Sequence, residues 1–115
     1  MNSASASRHV LGFQVSLTVI VTRDVEPRYR GFLASAMLEV APTVYIHPRL
    51  SAGVRERIWS VLADWYATLR RGAILLAWSD PTEIGGVGIR VLGLPPRELA
   101  EVDGLLLVKR ELQRE

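Results

Sequence analysis

The residues best suited to chemistry lie together in Thr22-Arg23-Asp24-Val25-Glu26-Pro27-Arg28-Tyr29-Arg30-Gly31, where an apolar strand gives way to a helix. A helix start presents backbone N–H groups that have no partner within the helix, and its dipole favours an anion by about 0.3–1 kcal/mol. Arg28 and Arg30 in the first turn oppose that dipole. A phosphate docked on the N–H groups and on both guanidiniums reverses the sign, so the stretch is a candidate phosphate site. Two solvated arginines pointing outward are the competing reading of these residues taken alone.

Positioning this junction requires a strand before it and a helix after it. Leu17 to Thr22 is β-rich and unbroken, with a start as early as Phe13, and Pro27 suits a first helical position. Tyr29, Leu33, Ala36, Met37 and Val40 recur at helical spacing, which predicts a helix from Pro27 to Val40. Ala41-Pro42 breaks it. Thr43 to His47 has strand composition, closed by Pro48, and a second leg is expected near Glu39 to Ala41. Ser51 is an N-cap for a second helix with the stripe Val54, Ile58, Val61, Leu62, Trp65 and Leu69, and Arg70, Arg71 and Gly72 end it. Ala73 to Ser79 reads as a central strand and Val87 to Leu92 as a further one. Pro95 to Gly104 reads as an irregular connection before a last strand at Leu105 to Val108. The order predicts an α+β, ferredoxin-like (split βαβ) domain: an antiparallel sheet with two helices on one face, plus a C-terminal extra strand. The domain is expected over residues 13–115, after a flexible N-terminal extension at 1–12.

With 115 residues and 49% hydrophobic content, such a domain can bury a core without staples. The chain has no cysteine, which excludes disulfides and thiolate metal sites and fits a cytoplasmic setting. His9 and His47 make no ligand pair. No apolar run has the length of a membrane span, and no membrane partner is expected. Net charge is +2, but residues 8 to 71 carry nine Arg against five acids, so the basic character is concentrated early. Nearly all the cations are arginines, which suits bidentate phosphate recognition.

The series Leu17-Thr18-Val19-Ile20-Val21-Thr22, Pro27-Arg28-Tyr29-Arg30-Gly31, Met37-Leu38-Glu39-Val40, Val44-Tyr45-Ile46, Val54-Arg55-Glu56-Arg57-Ile58-Trp59, Ala77-Trp78 and Val102-Asp103-Gly104-Leu105 keeps order and spacing over about residues 17 to 110. In that series the chain resembles the small CRISPR-associated protein two (Cas-two), in its subtype I-E form. The resemblance implies a homodimer at the centre of the spacer-acquisition complex, flanked by dimers of the CRISPR-associated integrase subunit (Cas-one) and holding double-stranded prespacer DNA. It assigns backbone contacts to Arg28 and Arg30. Family members carry an Arg pair before the last strand, where this chain keeps Arg97 and has Pro96 in the other place. The resemblance also assigns integrase contact to Leu105, Leu106, Leu107, Val108, Lys109, Arg110, Glu111 and Leu112.

Many members of the wider family are described as Mg²⁺-dependent endonucleases that use an acid at the end of the first strand. That position is Arg23 here, and Asp24 follows it. Asp24 is thus the one candidate for catalysis and for metal holding by resemblance, but a one-residue shift along a strand turns a side chain to the opposite face. The leading expectation is a DNA-gripping scaffold that requires no cofactor; the alternatives are a Mg²⁺-dependent nuclease acting through Asp24 and a small-ligand domain on the same fold. No Ser/His/Asp triad is discernible, and Glu83, Glu98, Glu101 and Asp103 read as solvated loop acids. Trp65 and Trp78 read as core residues, and Trp59 and Tyr66 as candidates for a subunit interface. Arg55 and Arg57 read as a solvated helix face before they read as phosphate ligands.

Overall fold

The computed structural model describes residues 15–93, 99–102 and 105–108. Its first strand, β1 (Val15–Arg23), alternates with the period of two that a strand imposes: Thr18, Ile20 and Thr22 are buried, while Leu17 and Arg23 are exposed. Helix α1 (Pro27–Ala36) starts with Pro27, whose missing N–H costs nothing there, and buries Tyr29 and Leu33. It ends four residues earlier than the apolar spacing predicts. Met37 is extended, its N–H donating to the Leu33 carbonyl at 2.8 Å, and Val40 belongs to the next strand.

Strands β2 (Leu38–Ala41) and β3 (Val44–Ser51) form the hairpin between the helices, so the expected second leg is present. Pro48 does not close β3, which continues to Ser51. The register against β1 slips between Ser16 and Thr18, so that Pro48 and Arg49 form a bulge in β3. A bulge tolerates proline because the extra residue is outside the ladder. It also puts Tyr45 and Leu50, an odd number of residues apart, on the same buried face. The Arg49 N–H donates to His47 Nδ1 at 3.1 Å within this bulge.

Helix α2 (Ala52–Thr68) is capped by Ser51, whose hydroxyl accepts from the Val54 N–H at 3.2 Å. It ends at Thr68, before the cations expected to finish it. Strand β4 (Ala73–Ser79) is central and β5 (Val87–Leu92) lies at the edge. The segment Leu99–Val102, within the expected irregular connection, is instead a strand, β6, pairing with β7 (Leu105–Val108) in a separate two-stranded sheet.

The main sheet runs β2-β3-β1-β4-β5 with every neighbouring pair antiparallel, the ferredoxin-like order with an added edge strand. Ile20, Tyr45, Ile74, Leu76 and Trp78 pack with Tyr29 and Leu33 of α1 and Ile58 and Leu62 of α2, so both helices cover one face. The other face carries Val19 between Ile46 and Ala77, Val21 between Val44 and Leu75, and Ile89 beside Ala77. Leu17, Leu38 and Ile89 are 49%, 62% and 41% exposed there.

Candidate nucleic-acid interface

The turn from β1 into α1 places each arginine differently. Arg28 and Arg30 are two positions apart, so they cannot share a helix face. The Arg28 guanidinium lies over the Trp65 ring of α2, 4.4 Å from its centroid, and its Nε approaches Glu26 Oε1 at 3.5 Å. Arg30 turns to the β2 side and donates from Nε to Glu39 Oε1 at 3.2 Å. Both remain accessible, with side chains 47% and 72% exposed. The two guanidiniums straddle α1 and do not converge on one point.

The start of α1 has no acidic residue in its first turn, and the Glu26 side chain makes no capping hydrogen bond. The Tyr29 N–H donates to the Glu26 carbonyl at 3.1 Å. Buried beneath this turn, the Tyr29 hydroxyl and Glu26 Oε1 have no hydrogen-bonding partner among the described residues. Burial, with help from nearby Glu26, pushes the Tyr29 hydroxyl above the ordinary tyrosine range. It is a neutral hydroxyl at physiological pH.

At the end of β1, Arg23 pairs with Ala73 of β4 without a bulge, which keeps it in the alternation with Val19 and Val21 on the uncovered sheet face. Asp24 follows in a left-handed conformation, φ +60, and its Oδ1 lies 3.7 Å from Arg71 Nη2.

A family model described as CRISPR-associated protein (Cas_Cas2CT1978) matches residues 17–107. The chain belongs to this Cas-two-type, CRISPR-associated family. In this Cas-two chain a divalent ion would need several oxygen ligands around one point. Among the described residues Asp24 is the acid at that place, with the Arg71 guanidinium beside it and Arg23 next to it in sequence. No group of three His, Cys, Asp or Glu side chains suited to a metal occurs among the described residues. The described residues around Asp24 do not by themselves make a donor set for Mg²⁺.

Arg97, Lys109, Arg110, Glu111 and Leu112 lie outside the described residues, as do residues 1–12, Pro96, Glu98, Asp103 and Gly104. Leu105, Leu106, Leu107 and Val108 form β7. Arg55 is held within the fold, stacked 4.0 Å from the Trp78 ring centroid and paired with Glu56 at 3.2 Å, whereas Arg57 is exposed. Trp65 meets Tyr29 and Phe32 edge to face, and Trp78 is buried, as core residues. Trp59 packs against the core, and Tyr66 donates its hydroxyl to the Gly72 carbonyl at 3.3 Å, so both have contacts within the chain. No helix among the described residues is long and apolar enough to cross a membrane. From sequence Arg70 and Arg71 read only as a helix ending; the place of Arg71 beside Asp24 depends on the long-range pairing of β1 with β4, for which local sequence carries no signal.

Proposed function

We propose that this Cas-two family member is the dimeric scaffold of CRISPR spacer acquisition. It bridges dimers of the integrase subunit in the cytoplasm and holds prespacer duplex DNA by its phosphate backbone. The observation that carries this reading is the arginine pair of α1, both exposed and each held by one carboxylate. Surface pairs of that kind are worth about 0–1 kcal/mol, less than charge-assisted, bidentate Arg–phosphate bonds. A phosphate can therefore compete with Glu39 for the Arg30 guanidinium and join Arg28 on its exposed side, with the buried Glu26 Oε1 left in place. Because the two arginines straddle α1, they suit two phosphates along a strand rather than a single one. Contacts of this type position a duplex without reading its bases. The uncovered apolar sheet face supports a second copy as the other half of the scaffold.

The reading is tested by duplex binding across a salt series, with the full chain and its integrase partner. Each phosphate contact contributes about 0.9 to the slope of log K against log salt, so Arg28→Ala/Arg30→Ala should flatten it by about 1.8 per chain. Equal slopes would count against the grip on DNA. Scaffolding in this reading needs no cofactor. Mg²⁺-dependent cleavage of labelled nucleic acid that disappears in Asp24→Asn would put the nuclease reading in its place.

A further inference from the structure

The fold brings the turn leaving β1 and the basic turn entering β4 to one end of the sheet. Arg23 lies opposite Ala73, so the turn leaving β1 and the turn entering β4 are neighbours. Gly72 approaches the Arg23 and Asp24 carbonyl oxygens so closely that a Cβ would collide with both, and its φ of +81 suits glycine. The helix side is pinned too. Arg28 lies over Trp65, and the Trp65 carbonyl accepts from the Leu69 N–H just past the end of α2. The chain ends that carry Arg23, Arg70 and Arg71 are thus fixed at one end of the sheet by backbone contacts, with Arg28 on the helix side of that end.

The acids of these two turns are Asp24 and Glu26, against Arg23, Arg70 and Arg71. Glu26 serves Arg28, and Asp24 reaches Arg71 at 3.7 Å with both side chains more than half exposed. Neither Arg23 nor Arg70 has an ion pair among the described residues. Asp64, one turn back in α2, is also without an ion pair among them. A favourable helix dipole does not account for Arg70 and Arg71. The last turn of α2 holds no base, and both arginines follow a helix that stops at Thr68.

We propose that Arg70 and Arg71, at the end of the sheet next to the β1–α1 turn, form a second backbone contact for duplex DNA, with Asp24 as the carboxylate that phosphate displaces from Arg71. This rests on the DNA-holding role proposed above. The end of β1 is thereby an anion site. Charge complementarity selects the partner, a dense row of phosphates, because adjacent Arg70 and Arg71 are met by the single exposed carboxylate of Asp24 among the ion pairs of the described residues.

The test compares the full chain with three variants on a short B-form duplex of arbitrary sequence across a salt series. In Arg70→Gln/Arg71→Gln the slope of log K against log salt should become shallower by about 1.8 per chain. Asp24→Asn keeps a residue type that tolerates left-handed backbone and removes the competing carboxylate, so it should bind the duplex more tightly. An unchanged slope in the Arg70/Arg71 variant, with a flattened one in Arg28→Ala/Arg30→Ala, would overturn this site while leaving the α1 contact in place. Weaker binding by Asp24→Asn would overturn it as well. If none of the arginine variants flattens the slope, the DNA-holding role itself fails.

Discussion

Trp78 shows how a single side chain organises the edge of the fold, at the opposite end of β4 from the residue that pairs with Arg23. Its cross-strand partner is Gly88, and a Cβ there would run into the indole, so the ring lies against bare backbone. Arg55 stacks on it, and its Nε1–H donates to Asp80 Oδ2 at 3.1 Å. Asp80 also accepts from the Thr82 hydroxyl at 2.6 Å and the Thr82 N–H at 2.9 Å. These bonds, those from Thr82 foremost, hold its carboxyl below the ordinary carboxylate range. A lowered folded value means that Asp80 contributes stability above the ordinary range, near 3.9, and that the contribution is lost as pH falls through the folded value. In urea unfolding, Asp80→Ala should therefore be less stable than the wild type at pH 7, with the gap narrowing below about pH 4. A gap constant down to pH 2.5 would show that the charge of Asp80 does not matter.

Helix boundaries separate what pattern reveals from what it conceals. Ser51 was legible as a cap because its chemistry is local: one hydroxyl and an N–H three residues on, found at 3.2 Å. Ser51→Ala should lower stability by about 1 kcal/mol in a denaturant titration, with little loss of helical signal. No change would mean that water satisfies the Val54 N–H equally well. The end of α1 was not legible. Met37 is buried and sits at helical distance from Leu33, yet it is already extended at the helix end, so apolar spacing continued past the true stop. Pro48 misled in the opposite sense, since proline ends most strands but fits the bulge opposite Leu17. Leu99–Val102 depends on its pairing with β7, a contact that composition does not announce. The candidate site divides in the same way. Arg28 and Arg30 stood out because they occupy a first turn, but their divergence to Trp65 and Glu39 is tertiary.

At the scale of the molecule, the main feature is a sheet with helices on one face and aliphatic side chains on the other. Five strands about 4.8 Å apart, each with about six residues rising 3.3 Å, present roughly 480 Å². Two such faces together would bury about 1,000 Å², near the lower bound of a specific interface. Interdigitated side chains would add to that area. The alternation of β1 made one face of this surface visible in sequence; its extent was not, because it required the strand order. Val19 is central, flanked by Ile46 on β3 and Ala77 on β4. If this face joins two copies, the wild-type chain should sediment at twice its 12.8 kDa mass at micromolar concentration. Val19→Glu should then sediment as a monomer with its helical signal retained, because a glutamate there faces solvent in the monomer but loses its water in the dimer without gaining a partner. The same variant should bind duplex with a shallower salt slope, since one chain offers half the arginines of two. A wild type that remains monomeric, or a Val19→Glu that still dimerises, would place the contact between copies elsewhere and leave the apolar face for another partner.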